Sequence, residues 1–262
     1  MKIAVCGISG FVGEEVKKYF EAKGFEVIGV ERKISSNSQK IQELIEKFSG
    51  CEVVINLSGA PIIKPWTKKY KKEIYDSRIN TTQNISKAIS QMKFKPKLLI
   101  STSAVGIYQA NKNHDEYNFN HNEEFLGEVC KDWEMTALKS ESDEVRVVIT
   151  RLGVVVGQQG GVVKKLFPLF NFGLGAVILP AKSSFPFVHI NDLIRAYEFF
   201  IESKNSRGVY NIVASNSTTQ LDFARAFAKA LKRPLLMVVP RFILKIVYGG
   251  GADVISNNPF VE

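Results

Sequence analysis

The first thirteen residues constrain this chain more than any other stretch. Residues 2–5, Lys-Ile-Ala-Val, make an apolar run of strand length, and residues 14–23 carry a helix-like pattern. Between them lies Cys6-Gly7-Ile8-Ser9-Gly10-Phe11-Val12-Gly13, with glycines spaced Gly-x-x-Gly-x-x-Gly at a strand-to-helix junction. The chain must turn tightly there. With side chains missing, backbone N–H groups at the helix N-terminus can approach a pyrophosphate. A glycine triplet alone is a weak signal; its flanking strand and helix give this one its meaning.

The same alternation continues. Strands are expected over 25–30, 52–57, 97–102 and 145–156, with helices over 41–48, 68–91, 124–138 and 221–231 and a polar turn over 35–39. Strands rich in Val and Ile, separated by helices, predict an α/β fold with a doubly wound parallel sheet covered on both faces. Beyond Gly157 the pattern is less regular, which predicts a smaller C-terminal lobe. The expected organisation is a dinucleotide-binding domain over 1–157 and a mixed region over 158–262. That region is mainly a substrate lobe, with segments returning to the sheet.

Composition removes several function classes. No apolar run approaches the ~18 residues of a membrane span. The apolar residues at 3–5 already belong to the glycine motif, so no secretory signal is expected. Cys6, Cys51 and Cys130 are odd in number and lack metal-ligand spacing, so they read as reduced thiols of a cytoplasmic protein, with no metal. The net charge of +9 raises nucleic acid as a partner. Lys64, Lys68, Lys69, Lys71 and Lys72, interleaved with Trp66 and Tyr70, are the densest basic cluster, and a solvated helix face accounts for them better. The expected partner is a small-molecule substrate, on a monomer or homodimer with no membrane attachment.

In a doubly wound sheet, ligands bind at the carboxyl ends of the strands. After the second strand come Glu31, Arg32 and Lys33. An acid there suits a ribose 2′-OH, while a guanidinium suits a 2′-phosphate; the two bases against one acid favour NADP, with NAD as the alternative. The third strand ends in Asn56-Leu57-Ser58-Gly59-Ala60, small residues against which a cofactor can lie. The fourth gives Ser101-Thr102-Ser103-Ala104-Val105-Gly106-Ile107-Tyr108, placing hydroxyls where a nicotinamide or a substrate carbonyl would sit.

With these segments, and with Arg151-Leu152-Gly153-Val154-Val155-Val156-Gly157 and Phe187-Val188-His189-Ile190-Asn191-Asp192-Leu193, the chain resembles an extended short-chain dehydrogenase/reductase. It is similar to an atypical branch of that superfamily, often labelled epimerase-like or cell-division-inhibitor-like. The shared features are Asn56 to Pro61, Trp66, Ser77-Arg78 with Thr82, Phe125-Leu126, Trp133-Glu134 and Phe172-Gly173-Leu174-Gly175. The resemblance implies a Rossmann-type domain that binds NADP beneath a C-terminal lobe. It places cofactor contacts on Gly7, Ser9, Gly10, Phe11, Val12, Glu31, Arg32, Leu57, Ser58, Gly59, Glu73, Arg78 and Val155. For Arg78 a surface ion pair with Asp76 or Glu73 is an equal alternative on sequence alone.

The pattern then fails at its chemistry. The superfamily's Tyr-x-x-x-Lys puts both side chains on one helix face, where the ammonium lowers the phenol pKa. Aligning Glu134 with the acid that follows that motif puts Leu126 and Cys130 at the two positions. Ser103, at the serine position of the usual triad, and Tyr108 remain as candidate catalytic residues. Cys130 is expected to be a buried inert thiol, and His189 to make a structural hydrogen bond. The branch continues with another helix and strand after the region matching 248–261, so the last element is expected to be absent. Two functions stay open. One is an NADP-dependent oxidoreductase or epimerase-like enzyme on a small polar carbonyl or sugar-type metabolite. The other is a dinucleotide-binding sensor without turnover.

Overall fold

The structure, a computed structural model, describes residues 1–261. The chain opens with β1 (Lys2–Cys6), α1 (Phe11–Ala22), β2 (Glu26–Val30), a single turn α2 (Arg32–Ser35) and α3 (Ile41–Phe48). Next come β3 (Val53–Asn56), the long α4 (Lys68–Gln91), β4 (Leu98–Ala104), the short β5 (Asn113–His114), α5 (Phe125–Leu138), β6 (Arg146–Leu152) and β7 (Val154–Gly157). Then follow α6 (Gly161–Asn171), β8 (Ala176–Ile178), β9 (Phe187–His189), α7 (Ile190–Glu202) and β10 (Gly208–Ile212). The last elements are α8 (Gln220–Ala230), β11 (Met237–Val239), α9 (Arg241–Tyr248), α10 (Ala252–Ser256) and β12 (Phe260–Val261).

Six strands form one parallel sheet in the order β10-β6-β4-β3-β1-β2, the doubly wound arrangement expected from the sequence. Alternation along each strand explains why these segments read as unbroken apolar runs. Ile3 and Val5 face α1 and α7, in a core with Val16, Phe20, Leu193, Tyr197 and Phe200. Ala4 and Cys6 face α3, α4 and α5, in a core with Leu44, Phe48, Ile85, Ile89 and Ala137. The central strands are buried on both faces, so they are apolar until their carboxyl ends, where Asn56, Ser101, Ser103, Thr150 and Arg151 stand.

One expectation needs correction. The apolar run at 145–156 is two strands, β6 and β7, divided at Gly153. The Gly153 N–H still bonds Ile212 of β10 (3.2 Å), but the Val154 N–H turns to the Pro186 carbonyl (2.8 Å). β7 thereby leaves the central sheet and pairs with β9. A Cβ at Gly153 would stand 2.8 Å from the Pro186 carbonyl oxygen, so only glycine lets the chain cross at this point. Smaller departures are α2 and a 3-10 turn at Ser38–Lys40 where a polar turn was expected. The apolar strand carrying His189 stops at that residue, whose Nδ1 accepts from the Asn191 N–H to cap α7.

The outer lobe is a two-stranded β8-β11 sheet packed on α8 through Phe170, Val177, Ala224 and Ala228. Residues 249–261 then run back toward the sheet, where β12 pairs with β5 and the Asn111 amide donates to Asn257 (2.9 Å). Glu262, the last residue of the expected lobe, lies outside the described residues.

Candidate functional site

The glycine loop sits at the carboxyl end of β1, and each glycine has its own reason. Gly7 has φ of +83°, and a Cβ there would lie 2.8 Å from the Leu57 carbonyl oxygen. At Gly13 a Cβ would lie 2.4 Å from the Gly7 carbonyl oxygen, so only glycine lets the helix pack this close to the loop. Gly10 caps α1 without a side-chain acceptor. The first-turn N–H groups of α1 therefore meet no capping side chain, and Ser9 and Gly10 beside them are exposed. Phe11 is held from the other side, since a Cβ at Gly160 would come within 2.3 Å of its ring.

The neighbouring strand ends complete a groove. Leu57 continues β3 by donating to the Cys6 carbonyl (2.9 Å), and the Asn56 side chain accepts from Ser58 N–H (3.2 Å) while donating to Thr82 (2.9 Å). At the end of β2, Glu31 leads into α2 and pairs with Lys33 at 2.8 Å, which holds its carboxyl below the usual carboxylate range. Arg32 is 64% exposed and reaches Glu73 of α4 at 3.4 Å. Arg32 and Glu73, both among the expected cofactor contacts, thus share one edge of the groove.

Arg78 does not form the surface pair allowed by the sequence. Asp76 is taken by Lys72 and Glu73 by Arg32. Arg78 is instead buried, 9% exposed, and donates to the carbonyls of Ile74 (3.1 Å) and Ala60 (3.0 Å). Its guanidinium lies beneath Gly59, where a Cβ would stand 3.0 Å away, and over the Trp133 ring. Among the described residues no carboxylate pairs with it, and burial lowers its pKa to about 10.

Arg78 lines a cavity of about 750 Å³ between the carboxyl ends of β4 and β6 and the segment after α9. Trp66, Leu126, Cys130, Trp133 and Val155 share its wall. Ser103 and Tyr108 also border it, and both are already engaged. The Ser103 hydroxyl donates to Glu134 (2.6 Å). Arg151 grips Glu134 with two bonds (2.9 and 2.8 Å) and donates to the Tyr108 oxygen (2.9 Å). The Tyr108 hydroxyl donates to Asn211 (2.6 Å). Burial raises the Tyr108 pKa, with the Arg151 bond acting against it. Burial also pushes the Cys130 thiol up to about 12, which leaves it a poor nucleophile.

The lysine-rich stretch has an internal use. Lys71 lies over the rings of Trp66 and Phe125, and Lys64 over Tyr70. Trp66 donates to the Ile62 carbonyl and faces the cavity, so it is no outward stacking platform.

Comparison with known proteins agrees with this architecture. The profile of the NAD dependent epimerase/dehydratase family matches residues 3–213. The chain belongs to that family. Epimerase family protein SDR39U1 of mouse is 34% identical over 256 residues, covering 95% of this chain and 87% of its own. Epimerase family protein YfhF of Bacillus subtilis is 30% identical, covering 95% and 86%. The crystal structure of human SDR39U1 with NADPH superposes with a TM-score of 0.91 at 28% identity, covering all of this chain and 90% of that one. Membership accounts for the glycine loop and the strand-end segments. The reading of the sequence did not anticipate the buried Glu134–Arg151 pair or its ties to Ser103, Tyr108 and Asn211. Both residues lie in family-like segments of the sequence, but only the fold brings α5, β4, β6 and β10 together.

Proposed function

We propose that this chain binds NADPH and acts as an oxidoreductase or epimerase-like enzyme on a small carbonyl or sugar-type metabolite. The observation that carries the reading is the uncapped N-terminus of α1, open at Ser9 and Gly10, with the exposed Arg32 just after β2. The first fits the diphosphate of a dinucleotide and the second a 2′-phosphate. The human relative crystallised with NADPH supports the same choice. NAD is the alternative.

In this reading Gly7, Ser9, Gly10, Phe11 and Val12 hold the diphosphate by backbone N–H groups. Arg32, with Glu31 and Glu73 beside it, receives the adenosine ribose and its phosphate. Leu57, Ser58 and Gly59 form the floor, and Arg78 and Val155 meet the nicotinamide half at the edge of the cavity. What the cofactor supplies when bound is hydride. Ser103 and Tyr108 are the hydroxyls nearest the reading of a substrate site, each steadied by the Glu134–Arg151 pair. Residues 1–157 serve the cofactor and the later lobe encloses the substrate. The free, buried thiols of Cys6, Cys51 and Cys130 suit a reducing cytoplasm, and the chain is read as a monomer or homodimer.

A second reading, a dinucleotide-binding sensor without turnover, is favoured by Leu126 and Cys130 at the Tyr and Lys positions and by the engaged state of Ser103 and Tyr108. Thermal unfolding with each cofactor tests the shared premise. NADPH at about 100 times its Kd should stabilise the fold by about 2.7 kcal/mol, more than NADH at equal concentration. Gly10→Leu should remove the shift, and a wild-type protein indifferent to both nucleotides would end the proposal. Turnover on a carbonyl and sugar-nucleotide panel then separates enzyme from sensor.

A further inference from the structure

The cavity wall combines three features that together restrict its chemistry. First, the hydroxyls and thiol on it are committed or poorly acidic. Ser103 donates to Glu134, Tyr108 to Asn211, Thr102 lies 3.4 Å from the Tyr197 hydroxyl, and Cys130 is a buried thiol. His121, Glu123 and Glu124 also border the cavity, but as exposed residues of the loop at its mouth, and the half-buried Asp253 on its wall is held as a carboxylate by Arg241. Second, Arg78 is a buried cation on this wall with no carboxylate partner among the described residues. Two of its five N–H donors are used on carbonyls, which leaves charge and donors for a ligand. Third, Trp66, Leu126, Val129, Trp133 and Val254 give the cavity a largely aromatic and aliphatic flank.

Reducing an isolated ketone leaves a localised alkoxide, which needs a proton at once; its strength as a base resembles hydroxide, whose conjugate acid has a pKa of about 15.7. A conjugated carbonyl is different. Hydride added to an α,β-unsaturated ketone or a quinone sends the π electrons to oxygen as an enolate or phenolate. A phenol ionises near pH 10, like tyrosine, so a nearby guanidinium can hold such an anion without a side-chain acid.

Resting on the NADPH reading above, we propose that the cavity takes a conjugated carbonyl, a quinone or enone with a flat apolar body, and that Arg78 receives the delocalised oxyanion formed on its reduction. The balance is two electrons and one hydrogen delivered as hydride from reduced nicotinamide to the acceptor carbon. The attacked C=C bond becomes single, a new C=C bond forms to the carbonyl carbon and the charge moves to its oxygen. Water then supplies one proton, leaving hydroxide to the solvent. In a quinone the carbon that took the hydride afterwards releases a proton as the second oxygen gains one, giving the hydroquinone. Arg78 contacts the reacting oxygen and transfers no proton itself.

The test begins with binding. 4-Nitrophenol, which ionises near neutral pH and absorbs differently once ionised, stands in for the oxyanion. With NADP⁺ present, wild-type protein should bind the phenolate, quench Trp66 or Trp133, and lower the probe's apparent pKa by about one unit, a tenfold preference for the anion. Arg78→Met should abolish that preference and Arg78→Lys should keep part of it. A melting curve for each variant reports folding, and Arg78→Lys carries the test if Arg78→Met does not fold. Preference for the neutral phenol, or an undiminished shift in either variant that folds, would overturn the proposal. In turnover, menadione and 2-cyclohexen-1-one should oxidise NADPH at least tenfold faster than cyclohexanone, and His121→Asn should leave these rates unchanged. Equal rates, no turnover with any of the three, or loss of activity in His121→Asn would each overturn it. The thermal shift with NADPH would stand regardless, so the two readings fail separately.

Discussion

Two buried arginines stand in opposite circumstances, Arg78 on the cavity wall and Arg151 behind the Ser103 and Tyr108 that line it. Arg151, on β6, is surrounded by its own partners: Glu134 through two bonds, the Tyr108 oxygen, and the rings of Tyr108 and Phe119. Arg78, on α4, has two backbone carbonyls and the Trp133 ring, and no carboxylate among the described residues. Burial disfavours the charged form of both. At Arg151 the Glu134 bonds and charge outweigh it and raise the pKa above the ordinary value, whereas at Arg78 burial dominates and lowers it to about 10. The region around Arg151 is electrostatically complete. The region around Arg78 lacks an anion, which is the property expected of a binding wall and not of a brace.

The largest expected effect follows from that difference. Glu134→Ala would leave Arg151 buried without its carboxylate and should lower unfolding stability by about 3–5 kcal/mol. Arg78→Met removes a charge that the fold does not balance, and should leave stability unchanged or raise it. Denaturant melts of both variants without ligand decide the matter. Equal losses would break the contrast.

Alkaline pH offers the next largest effect. Burial lowers the Arg78 pKa to about 10, so the folded protein should release this proton at lower pH than the unfolded chain. Above that pH the unfolded state binds more protons, so this group's contribution to stability rises with pH. The penalty for burying its charge is fully present at neutral pH and is progressively relieved as pH climbs through the folded-state value. If Arg78→Met is more stable than wild type at pH 8, the gap should narrow toward pH 11, by about 1 kcal/mol. Arg151, raised instead of lowered, should contribute no such trend in that window. A gap independent of pH would show that Arg78 is not electrostatically exposed to its own burial.

Within the closed region a smaller effect is expected. Ser103→Ala deletes one hydrogen bond to a carboxylate that keeps both bonds from Arg151, and should cost about 1.5 kcal/mol. NADPH affinity should not change, since the Glu134–Arg151 pair survives. Isothermal titration beside a denaturant melt measures both.

What could be read in advance follows from how each part is encoded. The helices at Ile41–Phe48 and Lys68–Gln91 and the glycine loop are local, each written in one contiguous stretch with its own periodicity or turn chemistry. The split of residues 145–156 was not legible, because β6 and β7 are both Val-rich and only the contacts of Gly153 with Pro186 and Ile212 separate them. The cavity divides in the same way. Arg78 stood out as a residue, but its burial depends on Lys72 and Arg32 claiming the neighbouring acids, a choice made in three dimensions. Glu134 and Arg151 were visible only as members of motifs; their pairing needs a helix and a strand brought together by the sheet.

A third arginine supplies the reference for both. Arg32 is exposed and its 3.4 Å contact with Glu73 is of the kind worth about 0.5 kcal/mol or less. Arg32→Ala should therefore leave the melting curve of the free protein almost unmoved. Its effect should appear only with ligand: loss of a guanidinium facing the 2′-phosphate should reduce the preference for NADPH over NADH about tenfold, or about 1.4 kcal/mol. The ratio of the two dissociation constants, measured for wild type and variant, isolates that phosphate because NADH lacks it. An unchanged ratio would mean that Glu73 keeps Arg32 from the ligand and that selectivity, where present, comes from Lys33 or from elsewhere along the groove. A changed ratio with an unmoved melt would place Arg32 with Arg78, as a cation whose partner is brought by the ligand, and set both apart from Arg151, whose partner is built into the chain.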